Sequence, residues 1–190
     1  MLLSPTETGT TLMGQEDGRR ASIPRAVRVG GMSTLALLKA LSELNVQLNE
    51  AAFRLFEDRR FMTVGQRQLI EIVALSVSDL GFQEGATYGE LTARAFGSGL
   101  VECPLELGPH LRMQFLDQPE GAHAMPTNHG QAPPGSITVA SSPLDESDET
   151  AKGFYLRRVD GQLCLRGYWS WAGHIWSPTN ILVFARETAA

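Results

Sequence analysis

Cysteine is scarce in this chain: Cys103 and Cys164, the only two in 190 residues, close at most one disulfide. A secreted scaffold stapled by disulfides is therefore excluded. Long hydrophobic runs are missing as well, since the longest mostly apolar stretch, LIEIVALSV, is well short of the roughly 20 residues that cross a bilayer. The opening MLLSPTETGT has neither the basic start nor the apolar run of a signal peptide. A soluble, cytoplasmic protein with no membrane contact is the expectation. No GxxxxGK[ST] phosphate loop, GxSxG elbow or RNP-type motif occurs, so nothing specific supports an enzyme or a cofactor.

Metal ligands in a recognised pattern are absent too. Cys103, His110, His123 and His129 are spaced C-x6-H-x12-H-x5-H, which matches no zinc site and reads as loop histidines. The acidic run DESDE over 145–149 lacks the glycine and the terminal glutamate of a calcium loop. Cys103 has His110 nearby in sequence but no orienting third residue. Cys164 lies between Arg157 and Arg166 on one strand face, an electropositive environment of the kind reactive thiols occupy. A small covered thiol is the competing reading.

Positive charge is sparse where negative charge gathers. The formal net charge is −5, and residues 98–152 hold two basic against eight acidic residues. Residues 153–190 reverse this with four basic against two acidic. Such a balance disfavours a whole-surface nucleic-acid binder and leaves a local basic face near the C-terminus. The composition, 43% hydrophobic and 19% charged, is that of an ordinary globular protein.

What the chain does contain points to α+β. Residues 1–31 mix Thr, Gly, Ser, Pro and Arg without period and read as a flexible arm. Residues 32–190 read as a single α+β domain with a helical half, 32–97, and a β-rich half, 98–190. After Ser33, the positions Leu37, Leu41, Leu44, Leu48, Ala51 and Leu55 keep a 4,3 rhythm. That predicts one long helix, with a homodimer through the Leu37–Leu55 seam as an option. Thr63 with Gln66, and Leu69, Val73, Val77 and Leu80, predict a second helix closing an antiparallel helical hairpin. Thr87 and Glu90 open a short third helix that Gly97 ends. These helices are expected to pack on a C-terminal antiparallel β-sheet.

The phrase GATYGELTARAFGSG is similar to helices of helix-turn-helix and winged-helix DNA-binding domains. Its T-Y-G-E-L resembles the helical module of alkylguanine-DNA alkyltransferases, but the P-C-H-R motif of that family is absent here.

HLRMQFL over 110–116 alternates as a strand, and SITVASS and NILVFAR read as two more. The clearest signal is GFYLRRVDGQLCLRGYW, where Asp160-Gly161 between alternating runs predicts a two-residue hairpin turn. Pairing outward from that turn sets Tyr155 opposite Arg166 and Arg157 opposite Cys164. With Tyr168, these residues form an aromatic and basic face. All three tryptophans, Trp169, Trp171 and Trp176, lie within eight positions. Alternation sends the first two inward and leaves His174 and Trp176 near the sheet edge, Trp176 as an exposed anchor.

The candidate binding residues are therefore Tyr155, Arg157, Arg166, Tyr168, His174 and Trp176. The function they suggest is a small, non-enzymatic interaction protein (an accessory, inhibitor or regulator) with a protein partner favoured. A DNA- or RNA-binding regulator using the 88–96 helix or the Tyr/Arg face is the alternative. A small-ligand or enzymatic curved sheet is the third.

Overall fold

This computed structural model of the protein describes residues 23–121 and 133–187. Within them, β1 (Ala26–Val29), α1 (Thr34–Glu43), β2 (Gln47–Leu48), α2 (Glu50–Glu57) and β3 (Gln68–Ser76) come first. The middle comprises β4 (Ala86–Thr87), α3 (Tyr88–Phe96), β5 (Leu100–Val101), α4 (Leu107–Gln114) and β6 (Ile137–Val139). The hairpin β7 (Gly153–Val159) and β8 (Gln162–Tyr168) leads to β9 (Ile175–Trp176) and β10 (Ile181–Arg186). The fold is α+β, with helices interleaved among strands.

The main sheet runs β1-β3-β10-β6-β7-β8-β2, with β5 also on β10. It is mixed: β10·β6 and β2·β8 are parallel, and the remaining pairs are antiparallel. The stretch expected as an arm thus contains β1, which pairs Ala26 with Glu71 through Val29 with Gln68. The rest of that expectation, over 1–22, lies outside the described residues, as do His123 and His129. No helix among the described residues is long and apolar enough to cross a membrane.

Three expected elements differ. The long first helix is two helices. Asn45, at φ 53°, takes the left-handed conformation that ends α1, and Asn49 caps α2 by accepting from Ala52 N at 3.0 Å. The leucine rhythm survives the break because both helices face one core: Leu37, Leu41, Ala51 and Leu55 are all buried within the chain. The second helix is a strand, β3, flanked by β1 and β10. Its capping signal at Thr63 is overridden, since Val64 O accepts from Gly31 N and Val64 N donates to Glu106 Oε1. No helical hairpin forms. Residues 107–114 are helix α4 instead of a strand, with Leu107, Leu111 and Phe115 four apart and buried. The run carries a helical period and an alternating one at once, and packing on β1, β7 and β8 selects the first.

The larger core packs α1, α2 and α4 on one sheet face around Phe154, whose ring lies 5.2 Å from Phe56 and 6.2 Å from Phe61. A second core gathers Leu91 and Ala95 of α3 with Trp176, Leu182 and Phe184. The Asn49 amide joins the helices to the hairpin: it donates to Gly167 O at 2.9 Å and accepts from Gly167 N at 2.8 Å. A Cβ on Gly167 would lie 2.5 Å from the backbone carbon of Ala51. Asn49→Ala should cost about 1–2 kcal/mol from the lost cap alone. Gly167→Ala should cost about 1–3 kcal/mol through overpacking. Urea unfolding midpoints check both, and a neutral Gly167→Ala would contradict the contact.

Glu106 and His110 are buried beside the Gly30-Gly31 turn. Gly30 N donates to His110 Nε2 at 3.1 Å, so that nitrogen must be the acceptor of a neutral ring. Burial holds the His110 pKa below its ordinary 6.5 and lifts that of Glu106. The unfolded chain therefore binds the histidine proton more readily, and the stability His110 contributes is present above about 6.5 and lost as pH falls. Glu106 acts in the opposite sense, losing its contribution as pH rises. On going from about pH 7.5 to about pH 5.5, His110→Gln should lose less unfolding free energy than the parent chain. Parallel slopes in urea titrations would refute this.

Candidate functional site

Asp160 and Gly161 take φ 52° and 72°, as a two-residue turn requires. The register is the one read from sequence: Tyr155 pairs with Arg166, Arg157 with Cys164 and Phe154 with Gly167. The Tyr/Arg face is not open, however. Arg157 and Cys164 are buried, while Tyr155, Arg166 and Tyr168 are half-buried. Burial raises the Tyr155 pKa despite the opposing pull of Arg166 and Arg157. This face is largely interior to the fold.

Beyond Tyr168 the strand ends, and alternation stops being a guide. Trp169 and Trp171, expected in the core, are 44% and 51% exposed. Trp176, expected as an exposed anchor, is 3% exposed, and Ile175 beside it is 53% exposed. The cause is β9, which pairs Trp176 with Ala86 and Ile175 with Thr87. That bridge turns Trp176 inward, 5.7 Å from the Tyr168 ring and 6.1 Å from Tyr88. His174, also buried, stacks edge-on between Trp171 at 5.1 Å and Trp176 at 5.4 Å.

These rings wall a cleft of about 120 Å³ lined by Tyr88, Tyr168, Trp171 and Trp176. Ser141 and Lys152 contribute to its polar side, and Glu146 and Asp148 add carboxylates. Thr87 places Tyr88 through a complete capping box with Glu90. The Tyr88 hydroxyl donates to Glu102 Oε1 at 2.8 Å and to Ser141 O at 3.1 Å. Burial first, then the neighbouring Tyr168 and Glu102, push its pKa far up. Burial likewise raises Tyr168 and lowers His174, so all three rings are neutral near pH 7.

The acidic loop over 143–152 is anchored at both ends. Arg60 bridges Asp145 and Asp58, each at 2.7 Å, and holds the Asp58 pKa down to about 2. Lys152 Nζ donates to Asp145 O at 3.0 Å and Ser147 O at 2.9 Å. Trp169 Nε1 donates to Glu149 O at 3.3 Å. Glu146 and Asp148 make no ion pair among the described residues and stay exposed.

Burial pushes the Cys103 thiol up to about 12, which keeps it in the neutral thiol form near pH 7. Among the described residues, no group of three His, Cys, Asp or Glu side chains could hold a metal. Comparison with protein-family models, curated proteins and solved structures gives no match.

Of the six candidate residues, Tyr168 and Trp176 line the cleft, and His174 backs it. Tyr155, Arg157 and Arg166 are not part of its lining. Sequence reasoning missed Tyr88, Ser141, Trp171, Glu146 and Asp148 as lining residues. The tryptophan cluster was their only local signal. Trp176→Ala should cost about 3–5 kcal/mol as a core truncation. Trp171→Ala should stay within about 1 kcal/mol. Chemical denaturation separates the two, and equal costs would overturn the burial order.

Proposed function

We propose that the protein is a small, non-enzymatic, cytoplasmic interaction protein that binds a protein partner across the face bearing the aromatic cleft. One observation carries this reading: Trp171, half exposed, lines the cleft, and Trp169 and Ile175, both more than two-fifths exposed, lie with it within seven positions of the sequence. Exposed apolar clusters mark interaction sites, and tryptophan is enriched among interface hot spots. The acidic loop beside them favours a partner with positive charge over a phosphate backbone.

The alternatives have less support. Helix α3 carries one arginine, Arg94, which donates to Leu80 O at 2.9 Å, so it offers little to DNA. The Tyr/Arg face is mostly covered. At about 120 Å³, the cleft is below the about 300–1,000 Å³ of a small-molecule site. Of the Leu37–Leu55 seam, Leu37, Leu41, Ala51 and Leu55 are buried within the chain while Leu44 is exposed, which leaves a homodimer through it less apolar surface to use.

The test is a pull-down from host lysate with and without nuclease, comparing the parent chain with a Trp171→Ala/Ile175→Ser variant of matched melting temperature. A protein that survives nuclease and is lost with the variant is the expected result. Recovery of nucleic acid, or capture indifferent to the variant, would overturn the reading.

A further inference from the structure

Resting on that interaction reading, we propose that the cleft receives a single cationic side chain, an arginine, from a basic segment of the protein partner. Its walls are aromatic rings, whose faces carry negative potential and attract a guanidinium. The volume of about 120 Å³ suits one side chain.

The charge around the cleft has one sign to spare. Glu146 and Asp148 face no ion-pair partner among the described residues, and against these two carboxylates the described lining sets one cation, Lys152, whose ammonium is held by two backbone carbonyls. Arg60 is committed to Asp58 and Asp145. His174 adds no competing charge while its ring is neutral.

Two buried polar atoms are independent of the carboxylates. Ser141 and Trp176 both line the cleft and are 2% and 3% exposed, yet Ser141 Oγ and Trp176 Nε1 have no hydrogen-bond partner among the described residues. A buried polar atom without a partner is costly unless something completes it. Turning the Ser141 side chain about χ1 into the cleft lets its hydroxyl accept from a guanidinium N–H.

The probe is an acetylated, amidated Gly-Arg-Arg-Gly peptide titrated into the full chain and followed by tryptophan emission and calorimetry. Saturable binding is expected, weakened roughly fivefold to thirtyfold when citrulline replaces arginine. Trp171→Ala should weaken it by a similar factor, and so should Glu146→Gln/Asp148→Asn, while Phe96→Ala, exposed on α3, leaves it unchanged. Equal affinity for the citrulline peptide, no saturation at millimolar peptide, or indifference to both cleft variants would overturn the proposal.

The two readings fail differently. A partner captured through Trp171 that the arginine peptide does not displace removes the arginine assignment and keeps the interaction. Peptide bound at the cleft with no captured protein supports the cation site and removes the interaction reading.

Discussion

The two-way hydrogen bond between the Asn49 amide and the Gly167 backbone is the joint on which the rest of the structure depends. β2 runs parallel to β8, pairing Gln47 with Cys164 and Leu48 with Leu165. Asn49 then continues the ladder with its side chain, while its Oδ1 also accepts from Ala52 N. One residue therefore ends a strand, caps a helix and fixes that helix against the hairpin. Gly167 allows it because α2 approaches closer than any side chain would permit. The next residue, Tyr168, is the first wall of the cleft, so the site begins where the joint ends.

The cleft is assembled from segments far apart in sequence. Tyr88 comes from α3, Ser141 from two residues past β6, and Tyr168 and Trp176 from the two sides of the 169–174 turn. Glu102 ties two of these regions, accepting from the Tyr88 hydroxyl and from Ser142 Oγ at 2.7 Å. A two-residue bridge, β4 on β9, then decides which aromatic is buried and which is displayed. Rings desolvated on one side and open on the other offer contact area at little conformational cost. The acidic loop, held by Arg60 and Lys152, brings charge to that surface without collapsing onto it.

Legibility from sequence followed how local each cause was. The hairpin register was readable to the residue because the Asp160-Gly161 turn sets it through its own dihedrals. Helix α3 was readable because the Thr87–Glu90 capping box is satisfied within four residues. Residues 63–81 misled because their apolar positions suit a helix, whereas β1 and β10 claim the backbone of β3 as a strand. Residues 110–116 misled in the opposite direction: the alternation of Leu111, Met113 and Phe115 hid the four-residue spacing that α4 uses.

The sequence by itself determined the α+β class, the hairpin and its pairing, the third helix, and the concentration of tryptophan in one short stretch. Only the tertiary structure decided that Trp176 is buried while Trp169 and Trp171 are displayed. The reason is physical: alternation predicts a side chain's face only while a strand continues, and β8 stops at Tyr168. Past that point the direction of each ring is set by what it meets, and for Trp176 those contacts come from residues some 90 positions away, at Ala86 and Tyr88.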